Sequence, residues 1–72
     1  MSKTVWTKEY AEFIRKLRQA RLDAGLKQIE VAKKIKRPQS YISRVESGSY
    51  RLDIIELKAF AKMYKKNINE LI

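Results

Sequence analysis

Gln39, Ser40, Ser43, Arg44 and Ser47 stand close together in the middle of the chain. They supply an amide, three hydroxyls and a guanidinium, which are hydrogen-bonding groups. Nothing beside them points to covalent chemistry. The chain has no Cys and no His. That removes disulfides, most zinc sites, the Ser–His and Cys–His nucleophile pairs and the commonest general base. No carboxylate pair or nucleophile–base set stands out. The expectation is a protein that is not an enzyme, with no cofactor, no metal and no small-molecule ligand. Amide, hydroxyl and guanidinium groups in this mixture suit base edges and phosphate oxygens.

Placed on a helix at about 100° per residue, these residues share a side. Ser40, Ser43, Arg44 and Ser47 fall together, with Gln39 at the entry edge. Ile42, Val45 and Glu46 fall roughly opposite. The short serines would let the backbone approach a groove closely. Taken alone, the same face also suits a polar surface in water. Charge bears on the choice. Lys plus Arg is 17 and Asp plus Glu is 8 in 72 residues, a net charge of +9. Such an excess favours a polyanionic partner, either nucleic acid or an anionic membrane surface. No apolar run approaches the ~18 residues of a membrane span. Lys8, Glu9 and Glu12 interrupt any apolar core in residues 1–16, so no signal peptide is expected, and the location expected is cytoplasmic.

The elements that must present this face surround it from Gln28 to Gly48. Val31, Ala32 and Ile35 give a short helix its apolar side. Pro38 lacks a backbone N–H and pushes Arg37 towards extended backbone, so that helix should end near Lys36. Proline suits a first helical turn, so a second helix should start at Pro38 or Gln39. Ala32 is small enough for the second helix to cross close over it. Two helices joined by so short a turn form a helix-turn-helix. Gln28, at the start of the first of the two, is placed either to meet a phosphate or simply to be solvated. Gly48 reads as a left-handed cap. After it, the loop holding Ser49 and Arg51 could touch a phosphate.

The flanking chain reads as support. Thr7 should cap a helix running to about Ala24, with Tyr10, Phe13, Ile14, Leu17, Arg21 and Ala24 along one stripe and Gly25 as its left-handed end. Residues 1–6 read as a loose arm, with Trp6 folding back on Tyr10. Arg21 and Glu46 are both charges on apolar faces. Either they pair, fixing the angle between two helices, or both reach out to solvent. Asp53 and Glu56 form a capping box for a helix burying Ile54, Leu57, Phe60, Ala61 and Tyr64. Lys62, Lys65 and Lys66 complement its C-terminal end, Asn67 should cap it, and Asn69 should cap a last turn. Leu71 and Ile72 either complete the core or make a dimer contact. The whole is one domain, residues 1–72, near the lower size limit for a self-sufficient core.

From Leu17 to Leu71 the chain resembles the lambda repressor and Cro-like helix-turn-helix family. The resemblance is carried by Gln28, Val31-Ala32 and Ile35, the run Gln39 to Glu46, and Gly48. It implies an all-α fold of five helices, with the helix-turn-helix at helices 2 and 3 and the third helix in the DNA major groove. It further implies a homodimer on a near-palindromic operator. By position, Gln28 is similar to a phosphate-contacting residue. Gln39, Ser40 and Arg44 are similar to base readers, and Ser43 to a backbone contact. Arg21 and Glu46 match a buried ion pair found in some members. Lys36, Arg37, Tyr41, Ser49 and Arg51 complete the expected DNA-binding set. The chain departs from the pattern where Lys36 and Arg37 replace a turn glycine and an apolar residue, where Lys27 and Pro38 replace capping Ser or Thr, and where Leu52 replaces a proline.

The function expected is therefore a double-stranded DNA-binding transcriptional regulator, of the repressor or restriction–modification controller type. The alternative is an antitoxin-type protein-interaction module with secondary DNA binding, ranked lower because only residues 1–6 are spare for a partner. A membrane-surface binder would need a helix with an exposed apolar face, and each stripe here is used by the core.

Overall fold

A computed structural model describes residues 7–72. The proposed arm at residues 1–6 and the contact of Trp6 with Tyr10 lie outside the described residues. Five helices follow one another: α1 Lys8–Asp23, α2 Gln28–Ile35, α3 Gln39–Ser47, α4 Ile54–Met63 and α5 Ile68–Leu71. Among the described residues there is no strand. The fold is all-α.

Four of the five helices, α3 being the exception, begin where a side chain supplies an acceptor for an otherwise unpaired N–H. Thr7 is extended, and its Oγ1 accepts from the Tyr10 N–H at 3.0 Å. Asp53 Oδ1 accepts from the Glu56 N–H at 2.8 Å, and Glu56 Oε1 accepts from the Asp53 N–H at 2.9 Å. The two bonds close a capping box. At α2 the cap is Lys27, whose side chain has no acceptor, so Glu30 supplies the only arm: its Oε1 accepts from the Lys27 N–H at 2.7 Å. Pro38 caps α3 with φ −63°, and α3 starts at Gln39.

The ends of α1 to α4 are alike. Each is followed by a left-handed residue: Gly25 (φ 73°), Lys36 (φ 60°), Gly48 (φ 84°) and Lys65 (φ 58°). In every case its N–H bonds the carbonyl three residues back, and the next N–H bonds the carbonyl five back. Lys36 N donates to Lys33 O and Arg37 N to Ala32 O; Lys65 N donates to Lys62 O and Lys66 N to Ala61 O. This is the Schellman closure of a helix. It suits glycine, and two of the four sites carry lysine.

The core gathers one side of every helix. Leu17, Val31, Ile42, Val45, Phe60 and Leu71 are almost fully buried, with Ala20, Ala32 and Ala61 filling the close approaches. Ala32, 2 % exposed, lies in α2, which packs against α3. Four expectations need correction. Ala24 is exposed, because α1 ends at Asp23 and the stripe does not continue through its cap; Ala20 takes its place in the core. Ile54 is 55 % exposed, since it opens α4 before the buried stripe starts at Leu57. Asn67 does not cap α4. That helix closes at Lys65, and Asn67 begins α5, its N–H held by Glu70 Oε1 at 2.7 Å. Asn69 lies inside α5. Leu71 completes the core while Ile72 is 65 % exposed.

Left-handed backbone at a residue with a Cβ costs about 1–2 kcal/mol. Lys65→Gly removes that strain in α4's closure. It should raise stability by about 1 kcal/mol, a Tm increase of about 4–8 °C in a domain of this size. A lower Tm in thermal unfolding would show that the Lys65 side chain does more for the fold than its backbone strain takes away.

Candidate functional site

α3 holds the site, and the packing that fixes α3 starts with a charge pair. The Arg21 guanidinium, on α1, donates through Nε to Glu46 Oε2 at 2.7 Å and through Nη2 to Glu46 Oε1 at 3.1 Å. Its Nη1 donates to the Leu26 carbonyl at 2.9 Å. The two side chains are 8 % and 5 % exposed. Fork-to-fork geometry of this kind fixes both groups in orientation as well as distance. It ties α1, the loop after it and α3 together.

Gln28 extends the network. Its Nε2 donates to Glu46 Oε1 at 3.1 Å, and its Oε1 accepts from Gln39 Nε2 at 3.4 Å. A half-buried amide at the first residue of α2 therefore bridges the buried carboxylate and the entry edge of α3. The other flank of α3 is held differently. Tyr41 lies about 100° around the helix from Ser40. It is half-buried, stacked against Phe60 and edge-on to Tyr50, and its hydroxyl donates to Glu56 Oε2 at 3.1 Å. Partial burial and the neighbouring Glu56 carboxylate both push the Tyr41 hydroxyl up, so it stays protonated and donating.

Between the two flanks the outer face of α3 is open. Ser40, Ser43 and Arg44 are exposed, and their side chains make no bond within the chain among the described residues. Ser47 and Ser49 are turned back: each hydroxyl donates to the Arg44 carbonyl, at 3.1 and 3.3 Å, finishing the helix end. Lys36 and Arg37 are exposed in the turn before α3, and the Arg37 guanidinium lies 4.7 Å from the centre of the Tyr41 ring. Arg51 is exposed and stacks at 4.9 Å over Tyr10, on the α1 side.

The arrangement brings Gln28, Gln39, Ser40, Ser43, Arg44, Lys36 and Arg37 to one end of the molecule. Tyr41 serves packing at its edge, and Ser49 serves the closure of α3. The sequence pattern marks Glu56 only as a capping residue. Its second oxygen also accepts from Tyr50 at 2.8 Å, and no spacing rule brings Tyr41, Tyr50 and Glu56 together across two helices and a loop. Partial burial opposes ionisation of Glu56. The Asp53 N–H and the two tyrosine hydroxyls outweigh it and hold the carboxyl below the usual carboxylate range.

Two short helices, α2 and α3, packed on each other and joined by a three-residue turn that opens with left-handed Lys36, form a helix-turn-helix. A helix-turn-helix family model matches residues 17–71. The chain belongs to the helix-turn-helix family, of the lambda repressor and Cro-like type. A comparison with curated proteins gave no match. This helix-turn-helix protein is a DNA-binding regulator, and the family's domain is generally not enzymatic. Among the described residues no group of side chains is placed to hold a metal ion, and no helix is long and apolar enough to cross a membrane.

Removing one partner of a buried pair leaves the other uncompensated, at a cost of about 3–5 kcal/mol. Glu46→Ala should therefore unfold most of the protein in mild urea. Arg21→Met/Glu46→Leu should recover most of the loss, because apolar side chains of similar volume replace both charges. If the double variant is as unstable as Glu46→Ala, the pair holds the fold through more than mutual compensation.

Proposed function

We propose that the protein is a sequence-specific regulator that binds duplex DNA as a homodimer on a near-palindromic operator, acting in the cytoplasm by blocking or recruiting polymerase at the site. The type proposed is a repressor or a restriction–modification controller. The observation that carries the reading is the outer face of α3, where Ser40, Ser43 and Arg44 are exposed and make no bond among the described residues while both flanks are tied down.

In the proposed complex Arg44 reads a guanine through O6 and N7, Gln39 reads an adenine, and Ser40 and Ser43 lie against base edge and backbone. Gln28, already bonded to Gln39, would contact a phosphate and so link backbone position to base reading. Lys36 and Arg37 complete the contacts to the sugar–phosphate chain. The net charge of +9 would draw the duplex in before any base is read.

The homodimer is supported by the exposed apolar side chains. Ile54, Ile55 and Ile72 are 55 %, 67 % and 65 % exposed. Ile54 and Ile72 line a cleft of about 340 Å³ together with Tyr10, Phe13, Leu52 and Leu57, while Ile55 lies on another side, by Arg37 and Tyr41. A symmetric contact there would leave both α3 helices free.

Arg44→Ala should cost about 1–3 kcal/mol on the preferred duplex and relax selection at one base pair. Site selection from random duplexes, repeated with the variant, reads both. A loss equal on all sequences would reduce Arg44 to a phosphate contact. For the dimer, Ile72→Asp should shift sedimentation from dimer towards monomer and weaken binding to a two-half-site duplex more than to a single half-site. An unchanged mass would place the contact elsewhere.

A further inference from the structure

The turn before α3 carries a cation that the packing already holds still. Arg37 is flanked by left-handed Lys36 and by Pro38 at φ −63°, so its backbone is constrained on both sides. Its guanidinium lies on the Tyr41 ring. That ring is fixed in turn: Phe60 stacks on it at 6.3 Å, Tyr50 meets it edge-on at 5.3 Å, and its hydroxyl bonds Glu56. Glu56 has no freedom either. Its Oε2 accepts from both tyrosines and its Oε1 from the Asp53 N–H. A line of fixed groups thus runs from the first turn of α4 to an exposed cation beside the first turn of α3.

We propose that Glu56 is a positioning residue for DNA binding, which acts through Tyr41 to hold the Arg37 guanidinium ready for a backbone phosphate. The proposal rests on the duplex-binding reading above. An exposed arginine samples many rotamers and loses that freedom on binding. Here the stacking removes much of it beforehand, as preorganised groups do. The position suits a phosphate, since the N–H groups that open α3 and the positive end of its dipole lie next to it. Glu56 itself touches no DNA. Its oxygens are occupied by donors inside the protein, and the nearby Arg37 guanidinium offsets its negative charge.

The test is a set of salt titrations with the full chain and a 20-base-pair duplex, using wild type, Arg37→Ala, Tyr41→Leu, Tyr41→Phe, Glu56→Gln and Arg37→Ala/Tyr41→Leu. Loss of one phosphate contact should flatten the slope of log affinity against log salt by ~0.9. Arg37→Ala and Tyr41→Leu should each do so, and the double variant should lose no more than either. Tyr41→Phe keeps every ring contact and so guards against simple misfolding. It and Glu56→Gln should weaken binding by similar, smaller factors. In the free protein, ¹⁵N relaxation at Arg37 Nε should report greater mobility in Tyr41→Leu and Glu56→Gln. Additive losses in Arg37→Ala/Tyr41→Leu, a wild-type slope in Tyr41→Leu, or unchanged Arg37 mobility in Glu56→Gln would each overturn the positioning role. Failure of the wild type to bind any duplex at low salt would instead overturn the function on which it rests.

Discussion

Arg21 and Glu46 are charges placed where a small core would otherwise hold leucines, and the rest of the interior is arranged around that fact. Burying one alone is prohibitive, so each requires the other, and the bidentate geometry requires both helices at one angle. The remaining donors and acceptors are used as well. Leu26 takes the third guanidinium nitrogen, and Gln28 gives its amide to the carboxylate. One ionic contact therefore sets the position of α3 against α1, the loop after α1 and the start of α2.

From that anchor α3 is held along both edges. Gln39 is tied to Gln28 on the α2 side, and Tyr41 to Glu56 on the α4 side. Ile42 and Val45 lie in the core beneath. What is left over is a polar strip with no partner among the described residues, carried by a helix with little freedom to tilt or roll. Rigid presentation of short polar groups is what reading a groove requires, since base contacts discriminate only when the backbone is in register.

Much of this was legible in the sequence because it follows from local rules. The break at Pro38, the left-handed Gly25 and Gly48, and the caps at Thr7 and Asp53 are short-range chemistry, and each structure element they bound is present. The opposed stripes of α1 and α3 placed Arg21 and Glu46 on facing sides. What escaped was set by tertiary packing or by a competing local signal. Asn67 opens α5 with its N–H held by Glu70, an N-terminal signal that competes with a simple C-cap. Left-handed Lys36 and Lys65 show that helix closure forces the conformation where glycine is missing. The Tyr41–Tyr50–Glu56 cluster joins residues of α3, α4 and the loop between them, and nothing in helical periodicity points to it.

DNA recognition by this protein depends on α3 meeting a duplex with its outer side. The most direct measurement is an amide ¹H–¹⁵N titration of the full chain with a 20-base-pair duplex at low salt. The largest shifts should fall on Gln39, Ser40, Ser43 and Arg44, with Gln28 and Arg37 beside them and the ends of α1 and α5 unmoved. Shifts concentrated on α1 and α5, or no shifts at any duplex concentration, would contradict it.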